Sequence, residues 1–171
     1  MSASVESVIR PARESDFESV SLAIQRWWTL PGFDTEAAAR ERAALVPRLW
    51  LQHFASTSLV AERDARLSGF LIGFLSPDHP RDGYIHFVGV APDERRTSLG
   101  RALYKRFFVV CRNANRGFVR CVTTPTNTVS IAFHQHMGFE IEPGSLEVGN
   151  VRAKSDYDGP GVHRIAFIKA L

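Results

Sequence analysis

The stretch that most constrains this chain is Val88 to Gly100, which reads Val-Gly-Val-Ala-Pro-Asp-Glu-Arg-Arg-Thr-Ser-Leu-Gly. An apolar strand runs from Tyr84 to Val90. Pro92 stops it, because proline has no N–H to give to a ladder. A short polar loop with two adjacent arginines, Arg95 and Arg96, follows. A helix then starts near Ser98, with Leu99, Ala102, Leu103, Phe107 and Val110 recurring at helical spacing. A strand that feeds a basic, small-residue loop and then a helix start is suited to holding phosphate. The first N–H groups of a helix have no intrahelical acceptor, and the dipole adds partial positive charge there.

The elements around this stretch follow from local signals. Val8-Ile9-Arg10 centres a short strand. Ser15 and Glu18 have the spacing of a capping box, and the helix they open sets Phe17, Val20, Ile24 and Trp27 on one face. Leu30-Pro31-Gly32 breaks it. Asp34 or Thr35 caps a second helix, from Glu36 to Val46, which Pro47 ends. Leu49, Trp50 and Phe54 add a further helical turn or two. Ser58 to Arg63 and Leu67 to Leu75 are strands joined by a hairpin-length loop. Ser76 to Gly83 is a loop. The helix from Ser98 ends near Asn115, with Gly117 in the position after the cap. Phe118 to Thr124 is a strand and Val129 to Met137 a short helix. Phe139 to Ile141 begins a strand, Pro143 to Pro160 is a polar loop, and His163 to Lys169 is a last strand. The order β-α-α-β-β-β-α-β-α-β-β implies an α/β fold with a mixed sheet, in one domain over residues 1–171.

Composition excludes several classes. Hydrophobic residues at 44% and charged ones at 23% argue against disorder. The net charge is +3 and no Lys/Arg run exceeds two residues. A solvated basic surface is therefore favoured over nucleic-acid binding, and the arginines suit a phosphorylated cofactor equally well. Cys111 and Cys121 have no metal-ligand spacing and read as buried thiols. His134 and His136 are two apart and point to different sides of a helix, so no metal site is expected. The N-terminus lacks a signal-peptide pattern and no apolar run reaches membrane length, so the expected location is the cytoplasm, with no membrane partner.

Two signatures carry a family resemblance. The first is Val90-Ala91-Pro92 followed by Arg95-Arg96-Thr97-Ser98-Leu99-Gly100 and then Ala102-Leu103. The second is Asn127, Ser130, His134 and Gly138-Phe139. Together, inside this element order, they resemble the GNAT superfamily of acyl-CoA-dependent N-acetyltransferases. The resemblance implies a mostly antiparallel central sheet of about seven strands with four or so helices, and acetyl-CoA as cofactor. It implies that Arg95, Arg96, Thr97, Ser98, Leu99, Gly100 and Arg101 wrap the pyrophosphate. It implies that the pantetheine arm runs beside Val88, Gly89 and Val90, with Asn127, Ser130 and Phe133 also on the cofactor. Ser98 departs from the family's usual glycine, and His134 from its usual tyrosine acid. His134 is read as the group that assists the leaving thiolate, with a polar packing role as the alternative.

Acceptor-side residues follow from position. Trp28, Phe33, Tyr84 and Asp156 could line an amine pocket, although packing for Trp28 and a solvated loop for 143–160 are the favoured readings. Tyr84, His86 and Val88 share one strand face. His86 lies nine residues before Arg95. An arylalkylamine branch of the family carries a histidine at that offset, which implies a base acting through water. The alternative is a half-buried histidine satisfied by a neighbour, with Asp156 or Asp158 then as the next candidate base. The expected function is acetyl transfer to a primary amine of a small molecule. A protein or peptide N-acetyltransferase and a non-catalytic CoA-binding regulatory domain are the alternatives, and a homodimer is compatible with the sequence.

Overall fold

A computed structural model describes residues 7–28 and 35–171. The break at Leu30-Pro31-Gly32, Phe33 and the alternative cap Asp34 lie outside the described residues. In chain order the first elements are β1 (Val8–Pro11), α1 (Phe17–Arg26), α2 (Glu36–Ala43) and α3 (Leu49–His53). The long strands β2 (Leu59–Arg63), β3 (Arg66–Leu75) and β4 (Asp82–Val90) follow. Then come α4 (Leu99–Asn113), β5 (Phe118–Thr123), α5 (Thr128–His136) and β6 (Glu140–Ile141). The chain ends with β7 (Leu146–Val148), β8 (Val151–Ala153) and β9 (Ile165–Ala170). The strand order is β1-β2-β3-β4-β5-β9-β6, a seven-stranded sheet, with β7-β8 as a separate hairpin. Of the neighbouring pairs with a described register, only β4–β5 is parallel. The expected α/β fold is therefore present, with five helices among the described residues.

The chain forms two compact units, residues 1–74 with 85–110, and residues 75–84 with 111–171. In the first, β1, β2 and β3 pair antiparallel. The β2–β3 turn, Asp64-Ala65, has φ of 49° and 59° at its two residues. Those left-handed values give a two-residue turn whose twist matches the strands. The amphipathic α1 buries Val20, Ala23 and Ile24 against Val46, Leu51, Val60, Phe70 and Ile72. Each fully buried aliphatic of this kind contributes about 1.5–3 kcal/mol. Thr35 caps α2 by accepting from Ala38 N–H at 3.1 Å. The entry to α1 differs from the capping box expected at Ser15. Glu14–Asp16 is a 3-10 turn, and the Asp16 carboxylate accepts from Arg13 N–H at 2.7 Å. Asp16 also binds Arg10 at 2.8 and 2.9 Å, and that guanidinium holds its carboxyl below the usual range. A carboxylate that both caps and pairs with arginine displaces a serine hydroxyl from the role.

In the second unit, β5 lies parallel to β4 at Asp82–Tyr84 and antiparallel to β9, whose other edge holds β6. Val119, Cys121, Ile131, Phe139, Ile165 and Phe167 are buried there. Cys111 and Cys121 are both buried and free, as expected, and burial pushes the Cys111 thiol up to about 12. Two expectations are corrected. Asn115, not Gly117, takes the left-handed position after α4, with φ of 57°. Arg116 N–H then reaches back to Cys111 O at 2.9 Å, as such a cap requires. Gly117 instead donates to Arg81 O at 2.9 Å. The stretch 143–160 is not all loop. It contains the β7–β8 hairpin, which turns at Gly149 with φ of 58°.

Gly89 shows why a residue without a side chain sits near the end of β4. A Cβ there would meet the Phe70 ring at 2.5 Å and the Trp28 ring at 3.1 Å. Phe70 is fully buried, so a shift of its ring must be taken up by the core around it. Gly89→Ala should therefore destabilise the protein by about 1–3 kcal/mol through overpacking. Urea unfolding with an unchanged m-value would register it, and a wild-type midpoint would show that the ring can shift.

Candidate active site

The 95–100 turn is built from unusual backbone. Arg96 and Ser98 are both left-handed, each with φ of 71°, a conformation that costs a non-glycine residue about 1–2 kcal/mol. Glu94 O accepts from Thr97 N–H at 3.4 Å and from Thr97 Oγ1 at 2.7 Å. Arg95 Nη2 donates to Trp27 O at 2.5 Å, which ties the turn to the end of α1. No described backbone bond takes the N–H of Arg96 or Ser98. Those of Leu99 and Gly100 stand in the first turn of α4, where a helix offers no acceptor. A left-handed residue leading into a helical one turns successive N–H groups toward one point, the geometry that binds anions. Arg96 and Arg101 are exposed beside it. The turn thus fits the diphosphate of a CoA-type cofactor, and the sequence departure at Ser98 proves to be a residue in the conformation glycine would take freely.

Beside it, Trp28 packs edge-on to Phe87 with centroids 5.4 Å apart, and the Arg42 guanidinium lies 5.8 Å over its ring. Trp28 is half-buried and anchors the α1 end against β4 near Gly89, while Val88 and Val90 are also half-buried.

His86 is held firmly. Its Nε2 lies 2.7 Å from Leu45 O, and its ring stacks on Trp50 with centroids 4.2 Å apart and planes 12° apart. A carbonyl can only accept, so Nε2 carries the proton and Nδ1 keeps the lone pair. This is the neighbour-satisfied histidine and, at the same time, one with a defined basic nitrogen.

In the second unit, Asn127 caps α5, its Oδ1 accepting from Ser130 N–H at 3.0 Å. Ser130, Phe133 and His134 follow on that helix. His134 is only 6% exposed. Its Nδ1 lies 2.7 Å from Ser130 O, so the Nδ1 proton is donated to that carbonyl. The ring stacks on Phe167 at 4.7 Å and meets Phe139 edge-on at 5.3 Å. Burial lowers its pKa, with the Ser130 bond opposing in part. A general acid at neutral pH would need the imidazolium that burial disfavours, so the surroundings fit the packing alternative better than the acid role.

Tyr84 is half-buried, and burial together with its hydrogen bond to Tyr157 pushes its phenol well above the usual range. It is a neutral hydrogen-bonding group at physiological pH. Asp156 is left-handed, with φ of 51°, and its carboxylate accepts from Gly161 N–H at 2.7 Å. Asp158 pairs with Arg164 at 2.6 Å. Both loop carboxylates are thus engaged by residues just after the loop. Trp50, Leu45 and Tyr157 were missed as partners, because each meets its histidine or tyrosine only through the fold. Among the described residues no group of three His, Cys, Asp or Glu side chains could hold a metal, and no helix is long and apolar enough to cross a membrane.

The profile of the acetyltransferase (GNAT) family matches residues 12–139, a stretch that includes both signatures. The chain belongs to that family. It is 40% identical over 86 residues to the L-2,4-diaminobutyric acid acetyltransferase of Nocardia farcinica, covering 49% of this chain and 44% of that protein. To the enzyme of the same name from Halalkalibacterium halodurans it is 31% identical over 91 residues, covering 52% and 47%. The chain spans about half the length of these relatives. The fold matches the diaminobutyrate acetyltransferase of Paenibacillus lautus, solved with L-2,4-diaminobutyric acid and coenzyme A, at TM-score 0.64. That match is 18% identical over 96% of this chain and 94% of the other. The PaiA N-acetyltransferase of Thermoplasma acidophilum, solved with coenzyme A, matches at TM-score 0.72 and 16% identity, covering 97% and 99%.

Because burial depresses the His134 pKa in the folded state, its stabilising contribution should be complete above the unfolded value of about 6.5 and fall away as pH drops through the lower folded value. An NMR titration should find His134 titrating below the ordinary histidine range. A midpoint at or above about 6.5 would mean the imidazolium is stabilised and would restore the acid role.

Proposed function

We propose that this chain transfers an acetyl group from acetyl-CoA to a primary amine of a small diamino acid of the 2,4-diaminobutyrate type. The observation that carries the reading is the 95–100 turn, whose left-handed Arg96 and Ser98 precede the first N–H groups of α4. The names of the relatives supply the acceptor class. The backbone passes between the two units at 74/75, 84/85 and 110/111, which supports residues 1–171 acting as one acetyltransferase domain.

When bound, acetyl-CoA supplies an activated thioester carbonyl. The chain's own contributions are positioning and proton movement. The N–H groups of Arg96, Ser98, Leu99 and Gly100 hold the diphosphate, and the backbone of β4 at Val88 and Val90 aligns the arm. An amino acid reaches neutral pH as an ammonium, which has no lone pair to attack with. His86 Nδ1 accepts its proton through water, while Leu45 O and Trp50 hold the ring. His134 enters this reading as a packing residue of α5.

An assay with acetyl-CoA, thiol detection and a panel of amines and N-terminal peptides tests the acceptor class. L-2,4-diaminobutyric acid should be turned over well above the other small amines. Turnover confined to peptides would move the reading to protein N-acetylation. His86→Gln should lower kcat/KM by about a hundredfold at neutral pH, the low end for a general base. The loss should shrink as pH rises and free amine accumulates. An acidic limb unchanged in His86→Gln would place the proton acceptor elsewhere.

A further inference from the structure

The strained turn needs something beneath it, and the structure shows a charged pair in that place. Glu94 is the last residue of the 3-10 turn Pro92–Glu94, immediately before Arg95, and is only 5% exposed. Its Oε1 lies 2.7 Å from Arg63 Nη1, an ion pair. Arg63 ends β2, opposite Arg66 in the β2–β3 register, so the two arginines flank the tight Asp64-Ala65 turn. Arg66 Nη2 in turn binds Asp93 Oδ2 at 2.9 Å, in an exposed pair. The hairpin tip therefore grips the 92–94 segment at two successive residues, one contact half-buried and one in solvent. From the same residue, Glu94 O receives both Thr97 bonds that shape the turn. One residue, Glu94, thus links the hairpin through its side chain to the turn through its carbonyl.

The pair is poorly suited to a purely stabilising role. Glu94 Oε2 and Arg63 Nε are buried and have no hydrogen-bond partner among the described residues. A buried ion pair with unsatisfied atoms gains little net stability over apolar packing of the same volume. A cleft lined by Arg63, Asp64, Arg66, Ser68, Asp93 and Glu94 opens beside it, so water can reach Arg63 if its partner is changed. Nothing in the reaction reading uses either residue.

We propose that the Arg63–Glu94 pair is a positioning device that pre-forms the diphosphate turn, with Glu94 as the positioning residue. This rests on the reading of the 95–100 turn as the CoA diphosphate site. Pre-forming a binding surface raises affinity by removing the ordering entropy from the binding step. The pair touches no reacting group, so it acts on cofactor affinity and not on the chemical step.

The test uses the full chain, calorimetry with coenzyme A, and steady-state kinetics with acetyl-CoA. Glu94→Gln should weaken coenzyme A binding roughly tenfold or more, because it leaves the Arg63 charge without its ion-pair partner. KM for acetyl-CoA should rise in parallel, with kcat at saturation within about twofold. The double variant Arg63→Leu/Glu94→Leu should keep or raise Tm and still bind coenzyme A weakly. Asp93→Asn, which breaks only the exposed pair, should leave affinity within about twofold. Wild-type affinity in both Glu94→Gln and the double variant would overturn the inference alone. A fall in kcat matching the fall in kcat/KM would overturn it too, by placing Glu94 in the chemical step. Failure of the unaltered chain to bind coenzyme A would remove the functional reading together with the inference.

Discussion

Two left-handed non-glycine residues, Arg96 and Ser98, are the constraint on which the proposed chemistry depends. The backbone at these positions is high in energy, and it persists because the surroundings over-determine it. Arg95 is fastened to the α1 end, Thr97 to Glu94, and Glu94 to the β2–β3 hairpin. Leu99 and Leu103 lock the following helix onto β3, where an added Cβ at Gly69 would meet both at 3.2 Å. The turn's N–H groups are thereby presented without a ligand to organise them. In the proposed reading the loop receives the diphosphate because its strain is held by packing outside the turn.

The two histidines singled out by sequence illustrate how environment assigns roles. Both accommodate a backbone carbonyl on one ring nitrogen and an aromatic ring on one face. His134 is almost wholly buried, so its charged form is disfavoured. His86 is half-buried against Trp50, with Nδ1 left as the basic nitrogen. The same residue type in a family position is therefore no guide to chemistry until its surroundings are known.

Much of this was legible in the sequence, for identifiable reasons. The strand-turn-helix at 84–110 is written in local signals: apolar alternation, a proline stop, small residues, then helical spacing. Asn127 as a cap and the α1 face needed only local rules. The β7–β8 hairpin was missed because its strands are three residues long, too short for alternation to stand out. Asn115 was passed over for Gly117 because glycine is the commoner left-handed residue, yet Gly117 sits where it donates to Arg81 O. The Ser15 capping box failed because Arg10, distant by pattern but adjacent in space, drew Asp16 into the capping position. The partners Trp50 of His86, Tyr157 of Tyr84 and Arg63 of Glu94 lie 31 to 73 residues away along the chain, where no local rule reaches.

The central claim is that backbone N–H groups of the 96–100 turn receive the cofactor's diphosphate. The most direct measurement is an amide-resolved NMR titration of the labelled chain with coenzyme A, run beside one with pantetheine, which lacks the diphosphate. Large shifts are expected at the Arg96, Ser98, Leu99 and Gly100 amides with coenzyme A and small ones with pantetheine. Saturable coenzyme A binding that leaves those four amides unmoved would contradict it.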